Sequence, residues 1–95
     1  MLALFVIQAV YHSRGSGAEP GHYLGFLDEA SADAYIKEQY KGRDIKGPVP
    51  DKYTNWETLG LKEAGSRTVG MLIRQVQQGG GNHFRFDKLE DMHDA

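Results

Sequence analysis

Cysteine is absent from all 95 residues. That removes a disulfide framework, a thiolate metal site and a thiol nucleophile together. A surplus of one charge sign is missing too: 11 Lys and Arg stand against 13 Asp and Glu, a formal net charge of -2. So even a balance argues against a dedicated polyanion binder and against a highly charged nucleic-acid mimic. Long apolar runs are scarce. The only one, from Met1 to Val10, falls well short of the ~20 apolar residues of a membrane-spanning helix. No basic leader precedes it, as a secretory signal requires. The expectation is a cytoplasmic protein with no membrane partner. No internal repeat and no second domain can be defended, so residues 1–95 read as a single domain.

Glycine is the one residue in excess, at 12 positions, against a usual share of ~7%. Most of the glycines fall where the chain has no periodic pattern. Gly15, Gly17 and Gly21 lie in a Ser13–Gly21 connection with Pro20, and Gly79–Gly81 form a break near the C-terminus. They read as punctuation between short elements. Gly25 stands inside an apparent strand, the mark of a bulge or of a side chain crossing the sheet.

Between these breaks the apolar pattern predicts five elements. Leu2 to Tyr11 is apolar on both alternating faces, with Leu4, Val6 and Val10 on one and Phe5, Ile7 and Ala9 on the other. Two-sided apolarity of this kind predicts a central strand covered on both faces. His22 to Leu27 reads as its hairpin partner. Asp28 is a good N-cap for a helix over Glu29–Lys41, whose Ala32, Tyr35, Ile36 and Tyr40 recur at helical spacing. Gly42 then reads as its C-terminal stop. Ser66 to Gln78 places Val69, Leu72, Ile73 and Val76 on one helical face, against the cost of Gly70, and is taken as a second helix capped by Ser66 and ended by Gly79. Asn82 to Asp87 alternates Phe84 and Phe86 with polar residues, as a half-exposed strand does. It is placed beside the first strand, and the acidic residues 88–95 are expected to fray. Arg43 to Gly65, with Pro48 and Pro50, shows no regular pattern beyond a helical turn at Thr54–Leu59. The fold class that results is α+β: a small, mostly antiparallel sheet of three to four strands with one or two helices packed on it.

Chemistry is thinly signposted. His12, His22, His83 and His93 show no zinc spacing, and neither a metal nor a cofactor is expected. The glycines after the first strand lead into a second strand. They do not open a helix, so the dinucleotide and P-loop patterns are absent. Arg14 beside Gly15-Ser16-Gly17 leaves a small-ligand or enzymatic role at that loop as a second alternative. His12 and Ser13 are neighbours on an extended chain and point apart, and no Gly-x-Ser-x-Gly elbow exists. No catalytic residue is expected, and the chain is read as non-enzymatic.

What remains is binding. Lys37, Lys41, Arg43, Lys46 and Lys52 cluster around the end of the first helix, with Tyr40 and Tyr53 interleaved. Single-strand nucleic-acid binding uses such a mixture. From Arg43 to Arg67, however, five basic residues face four acidic ones, and so small a surplus predicts only weak, salt-sensitive binding. The leading expectation is a protein-binding module that docks on a larger partner, using Tyr40, Lys41, Arg43, Lys46, Lys52, Tyr53 and Trp56. Short, cysteine-free chains without a catalytic motif are common among accessory proteins of bacteria and phages. Inhibitors of nucleic-acid-processing or defence machinery are among them. A homodimer is a further expectation, because small sheets leave an edge to cover.

Overall fold

A computed structural model describes residues 2–41 and 51–94. Four strands, β1 (Ala3–Ser13), β2 (Gly17–Phe26), β3 (Lys52–Glu63) and β4 (His83–Phe86), form one antiparallel sheet in the order β3-β1-β2-β4. Two helices, α1 (Glu29–Tyr40) and α2 (Ser66–Gln77), pack on it. The architecture is a small α+β fold. No helix among the described residues is long and apolar enough to cross a membrane.

The central place of β1 follows from its two apolar faces. Leu4 and Val6 enter one core with Ala64, Val69, Leu72, Phe86 and Met92. Phe5 and Ile7 enter another with Leu24, Phe26 and Ala32. α2 therefore covers one face of the sheet and α1 the other. Each fully buried Leu, Ile or Phe contributes roughly 1.5–3 kcal/mol, so both faces of this one strand are needed for stability.

Local chemistry sets the helix ends. Asp28 caps α1 as its sequence position predicts, its Oδ1 accepting the Ser31 N–H at 2.7 Å. Gly42 lies outside the described residues. α2 forms despite Gly70, and it ends before Gly79, whose φ is +78°. Its cap differs from the expected one. Ser66 is the first helical residue, and the carboxylate of Asp94 accepts the N–H groups of Arg67 at 2.8 Å and Thr68 at 3.2 Å. Gly65 is glycine because a Cβ there would collide with Asp94. Within the stretch read as a frayed acidic tail, residues 88–94 are described and are tied to the body through Met92 and Asp94. A 3-10 turn at Leu89–Met92 buries Met92, and Gly65 donates its N–H to the Met92 carbonyl at 2.8 Å.

Three further corrections concern the sheet. The stretch read as irregular, with a helical turn at Thr54–Leu59, contains the 12-residue strand β3. Tyr53, Thr54, Trp56 and Thr58 favour strand. A bulge breaks the period-two pattern: Val6 opposes Gly60 and Ile7 opposes Thr58, leaving Leu59 extra, with Gly60 at φ +89°. β3, not β4, is the second neighbour of β1, and β4 pairs with β2. The expected long loop shrinks to a tight turn at Arg14–Ser16, since β2 begins at Gly17. Gly25 is the close approach that its position suggests: a Cβ would meet Leu4 Cδ1 at 2.9 Å and Phe86 Cε2 at 3.2 Å.

Candidate functional site

β1, β2 and β3 run on together as a three-stranded ribbon that ends at the Arg14–Ser16 turn. No residue is buried from Val10 to Tyr23, nor from Asp51 to Glu63. The radius of gyration, 14.8 Å, exceeds the ~12 Å of an equally long rounded domain. Backbone ladders hold the ribbon. At its tip the Arg14 N–H donates to the Asp51 carbonyl at 2.8 Å, and their side chains form an exposed ion pair at 3.4 Å. Such pairs contribute ~0–1 kcal/mol. Arg14, in the loop weighed from sequence as a small-ligand or enzymatic site, is thus engaged with Asp51 on an exposed turn.

Each face of the ribbon carries its own aromatic group. Cross-strand partners share a face, and His12 opposes Tyr53 while Val10 opposes Asn55. The His12 and Tyr53 rings stack at 4.6 Å and 5°, and Asn55 Nδ2 lies 3.2 Å from His12 Nε2. On the α1 face Tyr11 and His22 are hydrogen-bonded, hydroxyl to Nδ1, at 2.5 Å. The His22 ring meets Trp56 edge-on at 5.6 Å, and Trp56 meets Tyr35 of α1 in the same way at 5.4 Å. Tyr35 continues to Phe26 and His83, at 5.5 and 4.9 Å.

Burial tunes the polar members of this chain. It pushes the His22 imidazole below the ordinary histidine value; the Arg85 guanidinium pushes it the same way, and Asp87 pulls it back. Burial alone lowers His83 and raises the Tyr35 phenol. Both rings are therefore neutral at pH 7 and available for stacking and for accepting hydrogen bonds.

The structure brings part of the sequence-predicted site together. Tyr40 ends α1 and its hydroxyl accepts the Trp56 N–H at 2.9 Å. Lys41 follows directly, exposed, as is Lys37 one turn earlier. Lys52 and Tyr53 begin β3 on opposite faces of the ribbon. Trp56 is half-buried: it closes over the sheet with one side and joins the ribbon surface with the other. Arg43 and Lys46 lie outside the described residues. The roles of His12, His22 and Tyr11 are additions that sequence reasoning missed. His12 meets Tyr53 and His22 meets Trp56 across strands that include β3, and Tyr11 meets His22 across β1 and β2, so none of these pairings was readable before the register was known.

Among the described residues no polar or charged side chain is buried, and no group of three or more His, Asp or Glu is placed to hold a metal ion. What the ribbon offers chemically is flat aromatic area beside hydrogen-bonding groups. No family model, no curated protein and no solved structure matches the chain.

Proposed function

We propose that this chain is a protein-binding module without catalytic activity of its own, which docks on a larger protein or complex through the β1–β2–β3 ribbon. One observation carries the reading: the ribbon gathers Tyr11, His12, His22, Tyr53 and Trp56 within two stretches, residues 10–23 and 51–63, that contain no buried residue. Folding leaves this aromatic area partly in water. Tyr and Trp, with few rotatable bonds and one polar handle, are the residues that anchor interfaces. Tyr40 touches the Trp56 backbone, and the exposed Lys41 after it and Lys52 at the start of β3 add charged groups to the surface. Nucleic-acid-processing or defence machinery is the class of partner we favour, and blocking by occupancy is the mode of action.

The test compares the tagged wild-type chain with a Lys52→Glu, Tyr53→Ala double variant as bait, after nuclease treatment. A stoichiometric partner retained by the wild type and lost by the folded variant supports docking through the ribbon. No stoichiometric partner, or one retained equally by both, overturns it. A capture that vanishes on nuclease treatment and falls steeply with salt replaces it with the nucleic-acid reading through Lys37, Lys41, Arg43, Lys46 and Lys52.

A further inference from the structure

β4 lies at the sheet edge opposite β3, and between it and α2 there is a cleft of about 400 Å³ lined by Met71, Arg74, Gln75, Gln78, Gly80 and Phe84. That size is within the range of small-molecule sites. Met71 and Phe84 are its apolar part. Phe84 is half-buried and meets Phe86 edge-on at 6.3 Å, while Met71 is 52% exposed although it is a large apolar side chain. Its rim is tied down. Gln75 Nε2 donates to the Gly81 carbonyl and, at 3.3 Å, to the His83 carbonyl, and Gly80 returns its N–H to the Gln75 carbonyl at 2.9 Å. A Cβ on Gly80 would press into Gln75 Cγ at 2.7 Å, so glycine permits the loop to lie against the helix.

Within this frame Arg74 is the one charged side chain. It sits three residues after Met71, hence on the same side of α2, and makes no ion pair among the described residues. We infer that the α2–β4 cleft binds a small organic acid, an aromatic or branched aliphatic body bearing one carboxylate. Met71 and Phe84 receive the body and Arg74 pairs with the carboxylate through its planar fork. The last carbonyls of α2 give the surrounding cleft a slight negative bias, so the preference for an anion rests on Arg74 alone. This site is separate from the ribbon and does not depend on the docking role.

Phenylbutyrate is the probe, followed by amide NMR on the full chain. The expected result is saturable shifts at Met71, Arg74, Gly80 and Phe84 with a dissociation constant of ~1 mM, as suits a ligand of this size. Phenylbutyramide, which lacks the charge, binds about tenfold more weakly. Arg74→Gln loses the carboxylate preference while its spectrum elsewhere is unchanged, because Arg74 is exposed and packs no core. Absence of saturation at about 20 mM, equal binding of acid and amide, or unaltered binding by Arg74→Gln would each overturn the site. Tighter binding of the blocked dipeptide acetyl-Phe-Glu-amide than of phenylbutyrate would overturn the small-molecule assignment in favour of a protein-borne acid.

Discussion

The Tyr40 hydroxyl accepts the backbone N–H of Trp56 at 2.9 Å. Trp56 belongs to β3, the outer strand of the described sheet, so this N–H points away from β1 toward its outer side. A side chain from the last residue of α1 thus occupies a position that a further strand would use. Gln75 does the same at the other border, where it holds the His83 carbonyl of β4. Each edge is closed at one point by a helix-borne side chain, one of the ways that sheets avoid edge-to-edge pairing.

Tyr40→Phe keeps the ring and removes the acceptor. The variant should lose about 1 kcal/mol of stability, the net worth of an ordinary hydrogen bond. Urea denaturation followed by Trp56 fluorescence measures it directly. A midpoint equal to the wild type's would show that water serves the Trp56 N–H equally well.

Asp94 accepts from Arg67, Thr68 and Ser66, and these bonds hold its carboxyl below the ordinary carboxylate range. Asp28 is lowered likewise by Ser31. A depressed folded-state pKa gives stability that is present above the unfolded value, 3.8, and is lost as the pH falls through the folded one. Asp94→Ala should lower Tm by several degrees at pH 7 and flatten the loss of stability on acidification. An acid limb as steep in the variant as in the wild type would exclude Asp94 as a contributor.

His22 and His83 titrate below the ordinary histidine value, 6.5, chiefly because they are desolvated. The folded state then holds fewer protons than the unfolded one. Their contribution is complete above the unfolded value and declines as the pH drops below it. Ring-proton NMR should show both midpoints under 6.5. Arg85→Ala should move the His22 midpoint upward and leave that of His83 in place. Movement of both together would point to a general change in the fold.

Two glycines predict opposite outcomes for one substitution. Gly25→Ala drives a methyl into Leu4 and Phe86 and should cost about 1–3 kcal/mol by overpacking. Gly70→Ala meets no atom within 4 Å in the middle of α2 and should stabilise by about 1 kcal/mol, the difference in helix propensity. Thermal unfolding of the pair is the check, and a shared sign would contradict the packing described.

The elements legible in the sequence were those whose pattern needs no distant partner. β1 announced itself by two apolar faces, α1 by Asp28 and its stripe, and α2 by Val69, Leu72, Ile73 and Val76. β3 was hidden by its own bulge, since Leu59 shifts every later side chain to the other face, and by Pro48 and Pro50 before it. The first half of β2 was hidden for another reason. Gly17 to Gly21 is largely exposed, so no apolar alternation is required of it. Asp94 caps amides 26 and 27 residues earlier, a relation with no local signature. The candidate site suffered the same way: Tyr40, Tyr53 and Trp56 were recognisable as surface aromatics, but their partners His12, His22 and Tyr35 became visible only once β3 was in register.

The capping of α2 from downstream also has a consequence for biosynthesis. The helix leaves the ribosome before Met92, which fills its core, and before Asp94, which satisfies its first amides. Until those residues emerge, α2 has neither its full apolar floor nor its N-terminal acceptor, whereas α1 carries its cap, Asp28, ahead of itself. The two helices therefore gain their N-terminal caps in a set order, α1 from the residue before it and α2 only from the end of the described chain.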